Sequence, residues 1–459
     1  MARLIVVSNR TPQPGKPSAG GLATALEVVL KERNGLWFGW SGEFAETPGP
    51  VRMTDVNGVR VAGIDLSRAD HAAYYAGFSN SVLWPSFHLR PDLAELKPRY
   101  YEGYHRVNEQ FADALVPLIE PEDIIWVHDY HLIPLGDALR RRGLRNRIGY
   151  FLHIPFPSPD ALATIPSHRD LVNTFAAYDL VGFQANRDVA ALHEFASEEG
   201  FVRLRASSGA VEPLDGLNVR AFPIGSDPEA FSDMAVSDPA RKTADKVCRS
   251  LDGRTLILGV DRLDYTKGLP QRIAAYERLL DAFKQHRRKV AFLQIAPPSR
   301  EMIAQYQEIS DTLDSACGRV LGRFAEPDWQ PLNYVKRAYN QPTLAALYRL
   351  ARVCLVTPLR DGMNLVAHEF IGSQDPENPG VLVLSIFAGA AEIFPQALLV
   401  NPYDADETAR ALDVALRMPL QERQERWNAL IATAKAHDVA QWAEDFLLAL
   451  QDTPARAAV

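Results

Sequence analysis

The 459 residues are 47% hydrophobic and 23% charged, the proportions of a globular chain with a full core and room for about two to three domains. Lys and Arg number 49 against 57 Asp and Glu, a formal charge of −8, which argues against a general binder of nucleic acid or anionic membrane but allows a local basic pocket. The three cysteines, Cys248, Cys317 and Cys354, are far apart and lack a CxxC pair, so neither a disulfide framework nor a zinc site is expected and a reducing cytoplasm fits. The N-terminal apolar run is too short for a signal peptide, and no stretch of about 18 apolar residues points to a membrane span.

Residues 4–7 are apolar on both faces, as in a central parallel strand, and end in Ser8-Asn9-Arg10. A Pro/Gly loop leads to Gly20-Gly21 and a helix over 22–31; a glycine pair at a helix start lets a ligand approach the backbone. Residues 36–90 are rich in aromatics that read mostly as core. Tyr75 and Trp84, in a loop-like context around Ser79-Asn80-Ser81, are the candidates to line a sugar pocket. A helix is expected over 100–118, then a strand over 123–131 ending in His128-Asp129-Tyr130-His131, then a helix over 131–142 whose Arg140-Arg141-Arg142 suits the negative end of a helix dipole. Further strands over 148–152, ending at His153, and 179–184 complete a first half. Arg10, Asp129 and His153 thus stand at strand ends, where ligands of open parallel sheets bind.

The pattern pauses in a Pro/Asp/Ser-containing stretch from about 222 to 254, and a second strand–helix series follows: 255–260, 289–296, 353–356, 380–384 and 398–400. The reading is of two doubly wound α/β halves with a helical tail, bounded as 1–235, 236–440 and a C-terminal helix at 441–459 that packs back on the first domain. In the second half, Arg262 and Lys267 lie in the loop after one strand and Arg300 after the next. Two such cations can grip a diphosphate, Arg as a fork and Lys as a point charge. The stretch from Thr357 to Glu369 is a strand end, a turn punctuated by Pro358 and Gly362, and a helix N-terminus that can receive phosphate, with Glu369 placed for a ribose hydroxyl. Asn364 also suits an N-cap and Asp361 a turn.

Taken together, Ser8-Asn9-Arg10, Ala19-Gly20-Gly21-Leu22, Trp37-Phe38-Gly39-Trp40-Ser41-Gly42, Phe78-Ser79-Asn80 with Leu83-Trp84-Pro85, Trp126-Val127-His128-Asp129-Tyr130-His131, His153-Ile154-Pro155-Phe156-Pro157, Arg262-Leu263-Asp264-Tyr265-Thr266-Lys267-Gly268, Ser299-Arg300, Pro358 to Glu369 and Asn401-Pro402-Tyr403 resemble, in order and over nearly the whole chain, the trehalose-6-phosphate synthase family. The resemblance implies a retaining glucosyltransferase of the GT-B type, two Rossmann-like domains facing across a cleft. It implies that the acceptor, glucose 6-phosphate, meets Arg10, Tyr75, Trp84, Asp129 and Arg300. The nucleotide sugar, UDP-glucose or its GDP or ADP counterpart, is implied to meet Gly20, Gly21, His153, Arg262, Lys267, Tyr339, Asp361, Gly362, Met363, Asn364, Leu365, Val366 and Glu369. Met302, His368 and Ser226 depart from the family pattern without removing any of these residues.

The chemistry implied is glucose transfer to the anomeric hydroxyl of the acceptor with retention, giving trehalose 6-phosphate. Arg262, Lys267 and the N–H groups near Leu365 would neutralise the departing diphosphate, Asp129 would orient the acceptor, and His153 with Asp361 the donor sugar. No Asp-x-Asp metal motif is placed for such a reaction, so neither a metal nor any other cofactor is expected. A cytoplasmic homo-oligomer, tetramer or dimer, is what the resemblance suggests. A synthase taking glycerol 3-phosphate, a pseudo-glycosyltransferase, a pyridoxal-phosphate phosphorylase and a non-catalytic regulatory subunit are the alternatives.

Overall fold

The computed structural model of the chain describes residues 2–453 except 14–20, 48, 200–201, 205–210, 214–216 and 301–303. It divides into two compact units, one of Met1–Pro223 with Val439–Val459 and one of Ile224–Asp438. The first unit ends before 235 because helix Pro228–Ala235 packs on helices Gln341–Leu350 and Leu365–Ser373 of the second, and Gly372 touches the backbone of Pro228 too closely for a side chain.

The strands of the first unit are β1 (Leu4–Arg10), β2 (Leu36–Phe44), β3 (Arg52–Val56), β4 (Val59–Leu66), β5 (Ile124–His128), β6 (Arg147–Phe151), β7 (Leu180–Phe183), a separate hairpin of β8 (Val202–Leu204) and β9 (Val211–Pro213), and β10 (Asn218–Ala221). Eight of them form one sheet in the order β10-β7-β6-β5-β1-β2-β4-β3, parallel except for the β3–β4 pair. Leu4, Ile5, Val6 and Val7 are fully buried, as a central strand covered on both faces requires. The chain runs outward from β1 through β2 and β4, returns to the other side of β1, and runs outward again from β5. The topological switch point therefore lies between β1 and β5.

The C-terminal helix Val439–Asp452 belongs to this unit. Its Phe446 stacks on Trp126 of β5 (4.6 Å, 8°), and it lies so close that a Cβ on Gly149 of β6 or Gly182 of β7 would fall within 2.7–2.8 Å of the Phe446 ring.

The second unit holds β11 (Thr255–Val260), β12 (Val290–Ile295), β13 (Leu332–Val335), β14 (Val353–Val356), β15 (Val381–Ser385) and β16 (Leu398–Val400). They form one six-stranded sheet, β13-β12-β11-β14-β15-β16, parallel throughout. Its core joins Ile257, Phe292, Val353 and Val383 to Leu279, Leu313 and Leu412 of the covering helices. Here the switch point lies between β11 and β14.

Two local expectations are corrected. The helix expected from His131 begins at Leu135, after a single 3₁₀ turn at Tyr130–Leu132; Asp129, at φ 76°, turns the chain out of the strand before any helix can form. Tyr75 and Trp84 do not sit on a loop. Residues Ala72–Leu83 form a π-helix that continues into helix Trp84–Phe87.

Candidate functional site

In the first unit Arg10 ends β1 and Asp129 follows β5, so the two stand on either side of the switch point. The Arg10 guanidinium lies over the Trp40 ring, 5.2 Å from its centroid. Behind it, Trp37 Nε1 donates to Ser8 Oγ (2.8 Å) and Ser8 Oγ donates to the Arg10 carbonyl (2.9 Å), which fixes the end of the strand. Tyr74 OH donates to Asn9 Oδ1 (2.9 Å) and ties the π-helix to the same strand end.

The wide helix exists because Ser-Asn-Ser serves it rather than breaking it. Asn80 Nδ2 donates to Tyr75 O and Ser81 Oγ to Ala76 O, both 2.8 Å and five residues back, and the Trp84 N–H donates to Ser79 O. Widened helical turns of this kind are frequent at functional sites. It presents Tyr75, half-buried and stacked on His131 (5.7 Å, 9°). Trp84 is 5% exposed, packed on His88 (4.2 Å) and Tyr130 (5.7 Å), which leaves little of its ring open to a ligand.

Asp129 Oδ1 accepts from the His153 backbone N–H (3.3 Å), and its other carboxylate oxygen is 4.0 Å from His131 Nδ1. His153 stacks on His128 (5.3 Å, 19°), with His153 Nε2 3.0 Å from His128 Nδ1 and His153 Nδ1 3.4 Å from Gln184 Nε2. Burial pushes the His153 pKa down to about 3, and burial with the His153 neighbour lowers that of His128. Both rings are therefore neutral at physiological pH: this is a pair that orients by hydrogen bonds and carries no charge. Gly21 opens helix Gly21–Glu32; Gly20 lies outside the described residues.

In the second unit the loops after β11 and β14 meet at the switch point. Gly268 (φ +63°) ends the first loop so close to the Thr357 carbonyl that a Cβ would sit 2.2 Å from it; only glycine fits. Lys267 Nζ pairs with Asp361 Oδ2 at 2.5 Å, and Asn364 Nδ2 donates to that same oxygen at 3.0 Å. Arg262 is exposed, and its charge acts on Asp264 of the same loop.

The 361–364 loop is locked by backbone bonds to the loop after β15: Asp361 N–H to Phe387 O (3.2 Å), Gly389 N–H to Asp361 O (3.2 Å) and Ala390 N–H to Met363 O (2.9 Å). Asn364, at φ 82°, forms no side-chain cap. The first N–H groups of helix Leu365–Ser373, at Leu365 and Val366, have no carbonyl a turn earlier to bond and carry the positive end of the helix dipole. Glu369 accepts from Tyr348 OH (3.0 Å); burial raises its pKa to about 7, with Asp261 adding to the shift and Tyr348 opposing it. Tyr339 is half-buried under the Arg337 guanidinium, 4.7 Å away.

Arg300 belongs to this second unit, whereas Arg10, Tyr75, Trp84 and Asp129 belong to the first. Its Nη1 meets Tyr306 OH (2.5 Å) and Asp264 Oδ2 (3.4 Å). Asp264 is fully buried and accepts from Thr266 N–H and Oγ1, both at 3.0 Å. Burial opposes its ionisation, but Arg300, Arg262 and Lys267 outweigh it and keep the carboxyl below the usual range.

Sequence reasoning missed the support beneath these residues. Arg272 is 0% exposed and donates to Asp261 Oδ2 (2.6 Å), Thr357 Oγ1 (2.9 Å) and Gln294 Oε1 (3.3 Å). It bolts the ends of β11, β12 and β14 together. An Arg inside an amphipathic helical stretch reads as solvated, and its partners are far away in sequence, so no local signal marked it. Among the described residues no group of three or more His, Cys, Asp or Glu is arranged to hold a metal ion, and no helix is long and apolar enough to cross a membrane. The three cysteines are unpaired.

Comparison with known proteins places these features in context. Residues 3–452 match the model of glycosyltransferase family 20. The trehalose-6-phosphate synthase of Enterobacter sp. (strain 638) is 46% identical over 461 residues, covering 100% of this chain and 97% of that one. Two solved structures are superimposable. The alpha,alpha-trehalose-phosphate synthase (UDP-forming) from Burkholderia xenovorans in complex with glucose-6-phosphate has a TM-score of 0.91 at 46% identity, covering 98% and 100% of the two chains. A structure from E. coli bound with UDP-2-fluoro glucose has a TM-score of 0.93 at 42% identity, covering 99% and 100%.

Proposed function

The chain belongs to glycosyltransferase family 20, and on that footing we propose that it transfers glucose from UDP-glucose to glucose 6-phosphate with retention, forming trehalose 6-phosphate and UDP. The relatives and solved structures that resemble it over their full length support this reading. The observation that carries the division of labour is the pair of switch points: rings with the open cation Arg10 in the first unit, and a set of charges around a helix N-terminus in the second.

In this reading Arg10 holds the acceptor phosphate, Tyr75 and Asp129 the sugar, with Trp84 backing them. Arg300 joins them on the strength of the resemblance. Arg262, Lys267 and the N–H groups of Leu365 and Val366 receive the diphosphate, Glu369 the ribose, and Tyr339 a flank of the base. Gly20 and Gly21 give backbone access, Gly362, Met363 and Asn364 shape the turn, and neutral His153 with Asp361 orients the donor sugar.

The bond between the glucose anomeric carbon and the diphosphate oxygen breaks with its electron pair going to the diphosphate. A new bond forms to the anomeric hydroxyl oxygen of the acceptor, and that hydroxyl's proton passes to the departing phosphate oxygen. The protein's part is to hold positive charge where the leaving group gains negative charge. Arg262, Lys267 and the helix N-terminus supply that charge from the chain itself, so the reaction is proposed to need neither metal nor cofactor; full activity in excess EDTA is the expected result. We also propose a cytoplasmic homo-oligomer, tetramer or dimer, to be checked by light scattering of the purified protein.

The test is UDP release from UDP-glucose with glucose 6-phosphate, glucose or glycerol 3-phosphate as acceptor. Turnover with glucose 6-phosphate alone is expected. Turnover only with glycerol 3-phosphate, or with none, would overturn the assignment.

A further inference from the structure

Beside Arg10 stands a histidine that no role above uses. His71, on helix Arg68–His71, sits in a box of rings: Trp40 at 4.8 Å (45°), Phe44 at 5.2 Å (86°) and Tyr75 at 5.0 Å (27°, stacked). Tyr75 thus stacks with two imidazoles, His71 and His131. Trp40 carries both Arg10 and His71. Neither ring nitrogen of His71 has a hydrogen-bond partner among the described residues, and the residue is only half-buried.

We propose that His71 is a charge-responsive positioning residue of the acceptor subsite: it fixes the Tyr75 ring by stacking, and it takes up a proton when a phosphorylated sugar docks on Arg10. The inference rests on the reading of Arg10 as the phosphate-binding group. The groups that face His71 fix the sign of the effect. Arg10 approaches from β1 and Tyr75 from the π-helix. Arg68, on the same helix as His71, lies over the Phe44 ring, and Arg106 of helix Pro98–Leu115 is taken up by Asp70. In the free protein burial and the Arg10 charge both lower the His71 pKa, so the ring is neutral at pH 7. A phosphate dianion on Arg10 cancels that repulsion and adds attraction, which favours the imidazolium. By linkage, each unit by which the ligand raises the ring's pKa is about a tenfold gain in acceptor affinity for the protonated form.

The experiment is calorimetric titration of glucose 6-phosphate into the full-length protein at pH 7.5, in PIPES, HEPES and Tris, whose different ionisation heats report proton uptake. Wild type is expected to bind a fraction of a proton per ligand and His71→Phe, which keeps the ring stack, to lose that fraction. Titration of the ligand's own phosphate is common to both proteins and cancels in the difference. In steady state, wild-type acceptor KM is expected to rise from pH 6.5 to 8.5 more steeply than that of His71→Phe. His71→Ala, which also frees Tyr75, is expected to raise acceptor KM at every pH while donor KM holds. Equal proton uptake by wild type and His71→Phe would overturn the proton-linked role, and identical KM values for His71→Phe and His71→Ala the stacking role. If wild type bound no glucose 6-phosphate at all, the acceptor reading itself would fall and the inference with it.

Discussion

The two sheets place their candidate residues at the same topological position and equip it in opposite ways. At the β1/β5 switch point an open cation, Arg10, stands over a run of packed rings backed by two neutral histidines. At the β11/β14 switch point almost every group is ionic and already paired: Lys267 with Asp361, Arg300 with Asp264, Arg272 with Asp261. Ring faces and neutral donors suit a sugar, whose recognition is by shape and hydrogen bonds. Charges prearranged by their own counter-ions suit a leaving group that becomes more negative during the reaction, because the reorganisation has been done in advance.

The comparison breaks most visibly if the charged site is emptied. Lys267→Ala and Arg262→Ala are each expected to cut kcat by about 10²–10³-fold, the usual cost of removing one preorganised stabilising group, measured as UDP release at saturating substrates. Near-normal turnover would remove the charge-neutralising role.

The next effect is on stability. Arg272→Met leaves Asp261 buried without its cation, so a loss of about 3–5 kcal/mol is expected in denaturant titration. The double variant Arg272→Met/Asp261→Leu should recover a good part of that loss, because it removes the orphaned charge as well. A single variant as stable as wild type would show that the pair does not hold the strand ends together.

A smaller effect sharpens the same region. The Glu369 carboxyl has its pKa raised to about 7 in the folded chain, above its ordinary value near 4.5. Between these values the folded state binds more protons than the unfolded one, so this group's contribution is fully present below about pH 4.5 and is lost as pH rises through 7. The loss is about 3 kcal/mol at most. Relative to Glu369→Gln, wild type is expected to lose melting temperature from pH 5 to pH 8; parallel curves would contradict the shift.

Much of this was legible in the sequence for a physical reason. Central parallel strands are apolar on both faces and end abruptly in polar residues, so the sequence pattern of Val353–Val356 and Thr255–Val260 coincides with their observed limits, and the residues just beyond them mark the site. What stayed hidden depends on contacts that local pattern does not encode. Ser79-Asn80-Ser81 has the composition of a turn, yet its side chains close a wide helix by bonding five residues back. The strands β2 to β4 lie in a stretch whose aromatics read mostly as core, without a strand pattern. Arg272 gave no sign of burial because Asp261, Gln294 and Thr357 are brought to it by three different strands.

The central claim is that the two switch points divide the substrates between them. The most direct measurement is calorimetric binding of glucose 6-phosphate and of UDP-glucose, separately, to Arg10→Ala and to Lys267→Ala. The account predicts a crossed result: Arg10→Ala loses glucose 6-phosphate and keeps UDP-glucose, and Lys267→Ala does the reverse. Equal weakening of both ligands by either variant would contradict it.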